Sequence, residues 1–152
     1  MSRVIFITIL ILAFCPAIFA QEEMPICILA PPFDSFGKYF AKDEKGRFDN
    51  FFIALSKDKS MDAIVVFELD KNESKAEKRK RLTEISKHFN FRKIDKSRFT
   101  FIVYEEEEEF TRFWLIPKNK NWDDLLSVED RDYKLIKGEE FEQKINELFP
   151  KK

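Results

Sequence analysis

The run "AIVVFEL", residues 63–69, limits what this chain can fold into more than any other stretch. Its β-branched residues suit a pleated strand. Its near-continuous apolarity suits a central strand that is covered on both faces. Such a strand needs helices packed on its sheet, and the flanking sequence supplies them. From about Gly46 to Ser56, Phe48, Phe51, Phe52 and Leu55 recur at i, i+3, i+4 and i+7. That spacing predicts one apolar helix face, with Arg47, Asp49 and Asn50 turned outward. After the strand, "DKNES" predicts a turn, and Ser74 or Asn72 can cap the helix that follows. That helix, "KAEKRKRLTEISKHF", keeps Leu82, Ile85 and Phe89 on one side and charge elsewhere.

The remaining elements are shorter. "ICILA", residues 26–30, predicts a buried strand stopped by Pro31 and Pro32. In "FDSFGKYFAKDEKG", Phe33, Phe36, Tyr39 and Phe40 keep a helical spacing that Gly37 interrupts, so the segment reads as a short helix or an irregular packed loop. "RFTFIVY" and "EFTRFWLIP" predict two further strands, adjacent and antiparallel, the second ending at Pro117. The five glutamates Glu105–Glu109 then form the exposed tip of a hairpin, with Glu109 drawn into the second strand. The segment 118–138 mixes turns with the anchors Trp122, Leu125 and Leu126. A helix from Glu139 to Phe149 places Phe141, Ile145, Leu148 and Phe149 on one side to cover the sheet. The order strand, helix, strand, helix, strand, strand, helix predicts an α+β fold, a two-layer sandwich with a mixed four-stranded sheet and a C-terminal helix.

The first twenty residues differ from the rest. "MSRVIFITILILAFCPAIFA" has one positive charge, Arg3, an apolar core from Val4 to Phe14, then Pro16 and the small Ala17 and Ala20. This pattern predicts a secretory signal peptide cut after Ala20. A lipoprotein signal at Cys15 would set the bulky Phe14 where a small residue is usual. The apolar core is also shorter than the roughly 20 residues that span a bilayer. The mature chain, residues 21–152, is a single domain of 132 residues. It carries 26 basic and 28 acidic residues, so no domain-wide positive field attracts nucleic acid. Cys27 is its one cysteine, which rules out an internal disulfide and leaves packing to hold the domain together.

A resemblance rests on "RFDNFFIAL" at 47–55, "AIVVFEL" at 63–69, "KAEKRKRL" at 75–82, "KIDKSRF" with Asp95 and Arg98, and "EFTRFWLIP" at 109–117. In this order and spacing they resemble small exported bacterial proteins that are degenerate relatives of an OmpA-like domain. That domain is the C-terminal peptidoglycan-binding domain of outer-membrane protein A and of flagellar stator proteins. The resemblance covers residues 44–118 and implies an OmpA-like core at about 26–118 with an extension at 119–152. It implies a periplasmic or secreted bacterial location and a cell-wall or envelope protein as partner. Working members of the family clasp a diaminopimelate side chain with a Thr-Asp pair after the second strand and an arginine of the second helix. Here Asp70 matches the aspartate and Arg79 or Arg81 the arginine, but no Thr precedes Asp70 and the usual glycine is missing. Chemically, an aspartate takes an ammonium and an arginine fork takes a carboxylate. Solvated charge is the plainer reading of Arg79 and Arg81. Asp95 and Arg98 have structural roles at the entry to the third strand, and Trp114 belongs to the packed final strand.

Little else points to chemistry. His88 is the single histidine, and no nucleophile stands near it in sequence. One histidine and one mature cysteine, without paired spacing, supply no zinc site. "DKNES" lacks the glycine and ligand period of a calcium loop. No cofactor is called for. The reading is a non-catalytic exported envelope protein with a binding or scaffolding role. The alternatives are peptidoglycan binding through Asp70 and an arginine, and a hydrolase or accessory enzyme with a site assembled by folding.

Overall fold

The computed structural model describes residues 27–28, 31–38, 41–118, 120, 126–127 and 132–151, the side chains of 27, 28, 41, 42, 126 and 127 excepted. Along the chain these form β1 (Cys27–Ile28), β2 (Asp34–Phe36), α1 (Ala41–Lys57), β3 (Met61–Asp70), α2 (Lys75–Arg92), β4 (Phe99–Glu106), β5 (Phe110–Pro117), β6 (Leu126–Ser127), β7 (Lys134–Lys137) and α3 (Phe141–Leu148). The fold is α+β. A five-stranded mixed sheet has the order β2-β5-β3-β4-β7, and β1 pairs with β6 in a separate two-stranded sheet. No described helix is long and apolar enough to cross a membrane.

β3 is the central strand, as its composition predicts. It runs parallel to β4, with Phe67 opposite Val103, and antiparallel to β5, with Phe67 opposite Thr111. Alternation along β3 sends Ala63, Val65, Phe67 and Leu69 toward the helices. Ile64 and Val66 go to the other face, where they join Ile102, Tyr104, Trp114 and Ile116 in a second cluster.

The helix face is aromatic. Phe48 of α1 lies 4.7 Å from Phe113 and 5.5 Å from Phe89, ring centre to ring centre. Phe141 of α3 stacks on Phe101 at 3.9 Å. These contacts join all three helices to β4 and β5. Full burial of a ring of this size contributes roughly 1.5–3 kcal/mol.

Several expectations need correction. The sheet has five strands rather than four, because "KLIK" forms an edge strand beside β4. β4 and β5 are not a hairpin, since β3 lies between them. The acidic run therefore bridges over the end of β3. Glu105 and Glu106 extend β4, and Glu109 stands one residue before β5. Residues 34–36 form a strand against β5 rather than a helix or an irregular loop. α1 begins five residues before Gly46, at Ala41, with Asp43 and Glu44 in its first turn, where the helix dipole favours acids. Trp122 and Leu125 lie outside the described residues, as does the leader.

Candidate functional site

Of the polar residues singled out in the sequence, Asp70, Arg81 and the glutamate run belong to one end of the sheet. There β3 and β4 finish, β5 starts and α2 begins. Open sheets with parallel strands commonly bind ligands at this end. The sequence builds it locally. Asp70 closes β3 and turns the chain, its Oδ1 accepting from the Asn72 amide at 2.8 Å. Ser74 then caps α2. Its Oγ accepts from the Glu77 amide at 3.3 Å, and Glu77 accepts in return from the Ser74 amide at 3.1 Å. This reciprocal pair satisfies two orphan donors of the first turn.

The two arginines diverge. Arg79 turns to α3, where Nη2 donates to Asn146 Oδ1 at 2.5 Å. Arg81 turns the other way, between α1 and β5. Its Nη2 donates to Glu44 Oε1 at 2.6 Å and to Thr111 Oγ1 at 2.7 Å, and its Nε faces Glu44 Oε1 at 3.2 Å. Its Nη1 lies 3.2 Å from Glu109 Oε1. Glu44 and Glu109 are buried, with side chains only 7% and 5% exposed, against 15% for Arg81. Neither arginine hydrogen-bonds to Asp70 among the described residues. Arg81 is thus the centre of an internal polar knot that fastens α1, α2 and the start of β5.

Glu109 sits in this knot at an electrostatic cost. Burial pushes its carboxyl above the usual glutamate range and outweighs the attraction of Arg81, with Glu73 and Glu44 adding to the rise. Lys78 of α2 is buried at 2% exposure and extends its ammonium to a different glutamate of the acidic run, with Nζ 2.6 Å from Glu105 Oε1. Glu44 and Lys78 were not singled out from the sequence. Their signal was position: Glu44 precedes Phe48 by four residues, and Lys78 precedes Leu82 by four, so each continues an apolar stripe with a charged residue.

A second polar group joins α1 to α2 at the far end. His88 Nε2 and Asp49 Oδ1 are 2.8 Å apart, and the Arg92 guanidinium pairs with the same carboxylate. Burial raises the Asp49 pKa, but hydrogen bonds from Arg92 and His88 outweigh it and hold the carboxyl below its usual range. The His88 ring stacks on Phe52 at 6.0 Å. Phe52 and Asp49 together fix the imidazole between the helices. The side chain of Cys27 lies outside the described set, so a Cys27–His88 dyad does too.

The residues assigned structural roles sit as follows. Asp95 accepts from the Ser97 amide at 3.1 Å and caps a short 3₁₀ turn, Lys96–Arg98. From that turn Arg98 donates to the carbonyls of Asp58, at 2.7 Å, and Met61, at 2.5 Å, tying the entry of β4 to that of β3. Trp114 is buried in the second face of the sheet. Among the described residues, no three His, Cys, Asp or Glu side chains are grouped to hold a metal.

No protein-family model matches the chain, and no curated protein or solved structure matches it significantly.

Proposed function

We propose that this chain is a small exported protein of the bacterial envelope, soluble in the periplasm or outside the cell, that binds or scaffolds another envelope component without catalysis. The observation that carries this reading is the engagement of its most chemically capable side chains in joining elements of the fold. Arg81 is held by Glu44, Glu109 and Thr111, and His88 by Asp49 and Phe52. The element order on which the OmpA-like resemblance rests supports it, as does the N-terminal apolar run. Mass spectrometry of the protein exported from a bacterial host tests the location, and a mature chain starting at Gln21 is the expected result. Retention of residues 1–20 in the cytoplasm would overturn it.

Peptidoglycan binding is the second reading. Asp70 favours it, lying half-buried at the carboxyl end of β3 and at the head of α2. Its partner for a ligand carboxylate is then Arg79, or Arg81 after exchange of an internal glutamate. Pull-down with purified sacculi separates the two readings. Wild type retained on sacculi and lost with Asp70→Ala supports wall binding, whereas wild type left in the supernatant rejects it. Arg79→Ala is the cleaner arginine variant, because Arg81→Ala removes an internal ion pair.

A further inference from the structure

The knot around Arg81 is unbalanced in charge. Three carboxylates converge there, Glu44 from α1, Glu73 from the turn after β3 and Glu109 from the start of β5. The cations facing them are Arg81 of α2 and Lys38, which follows β2. Lys38 pairs with Glu73 at 3.5 Å but is 67% exposed, so solvent screens most of its charge. Arg81 is left to balance three acids. Its geometry favours Glu44, which receives two of its nitrogens, whereas Glu109 receives a single contact that is not aligned as a hydrogen bond. The unevenness shows in the leftover atoms: Arg81 Nη1 and Glu73 Oε2 are buried without a hydrogen-bond partner. A carboxyl that is 95% buried, beside two others and one shared guanidinium, is in the position where a proton is the cheapest missing positive charge.

We propose that the Glu109 carboxyl is a proton-binding switch at the root of β5. In its neutral form it lets α1 and α2 hold the start of the strand down, and on ionising it weakens that hold. Protonation removes one of three like charges and turns an acceptor into an O–H donor, in a cluster that contains an unpaired buried acceptor. Ionisation reverses both effects and restores repulsion with Glu44 and Glu73. The elevated carboxyl pKa agrees with this geometry and fixes the sign. A group whose pKa is higher folded than unfolded adds stability that is fully present below the unfolded value, ordinarily 4.5 for glutamate. That contribution is lost as pH rises through the folded value. The protein is therefore acid-favoured at this point, in contrast to the usual paired carboxylate. Because β5 is one of the two neighbours of β3, loosening its root exposes the edge of the central strand.

Thermal melts from pH 5 to pH 8 test the switch, using wild type, Glu109→Gln and the exposed control Glu108→Gln. The expected result is a wild-type melting temperature that falls as pH rises, a Glu109→Gln profile that is flatter and higher at pH 8, and a Glu108→Gln profile that follows wild type. A Glu109→Gln protein that keeps the wild-type slope, or melts below wild type at pH 8, overturns the proposal. Should that variant fail to fold, carboxyl carbon-13 titration of the wild type decides. A Glu109 midpoint above those of the exposed glutamates supports the switch, and one at or below them rejects it.

Discussion

Gly138 leaves no space for a side chain beside Lys96: a Cβ at this position would stand 2.1 Å from the Lys96 carbonyl oxygen and 3.1 Å from Phe99 Cβ. The requirement is one of close approach, because the Gly138 backbone does not adopt a positive φ. The 3₁₀ turn Gly138–Glu140, which leads into α3, lies directly on the turn Lys96–Arg98 that leads into β4. Gly138→Ala must push two backbones apart, at about 1–3 kcal/mol or more. Urea denaturation is expected to show a lower midpoint with an unchanged slope.

Gly46 gives the opposite result. It lies inside α1, exposed, and a Cβ there meets nothing within 4 Å. Gly46→Ala removes only the conformational freedom of the unfolded chain, so a gain of about 0.5–1 kcal/mol is expected. The same denaturation assay reads it, and a loss would mean that α1 is not continuous across this residue.

Arg81→Ala leaves Glu44 and Glu109 buried without their counter-ion. Breaking a buried pair in this way costs about 3–5 kcal/mol. Arg81→Lys keeps the charge but not the fork that reaches Glu44, Thr111 and Glu109 together, so it falls between wild type and alanine. If alanine lowers stability no more than an exposed arginine would, the knot does not bind the helices to β5.

Asp49 sets an acid limit on the contact between α1 and α2. Hydrogen bonds from Arg92 and His88 lower its carboxyl pKa despite partial burial. A lowered pKa contributes stability above the unfolded value, ordinarily 3.8, and that stability disappears as pH falls through the folded value. Asp49→Asn is thus expected to melt below wild type at neutral pH, with the gap closing in strong acid. A gap that persists there would trace the loss to packing instead.

The pattern of residues announced most of the elements but not how the strands pair. The apolar stripe through Phe48 and Leu55 and the run Ala63–Leu69 have strong periods, and both elements form where those periods lie. Pairing depends on distant contacts. "RFTFIVY" and "EFTRFWLIP" look like a hairpin because neighbours in sequence usually pair. Residues 107–109, however, cross the width of two strand spacings, roughly 10 Å, which three extended residues can just span. The absence of Gly or Asn from the acidic run was the available signal, since a tight turn needs them. β2 and β7 escaped because strands of three and four residues show almost no period. In the polar knot, Glu109 is marked in the sequence by its place beside Phe110. Glu44 was hidden because a charged residue on an apolar stripe reads as an interruption until its partner on another element is known.

The position of β3 between β4 and β5 also sets an order of events for the nascent chain. The most apolar strand acquires its last neighbour only when residues 110–117 are available, more than forty positions after β3 itself. Until then one edge of β3 is bare, and a bare apolar edge recruits other chains. The segment that arrives just ahead of the missing neighbour is the string of five glutamates. Like charges flanking an apolar strand disfavour the approach of a second copy, so the segment that bridges the finished sheet also carries the charge pattern that discourages pairing of its bare edge.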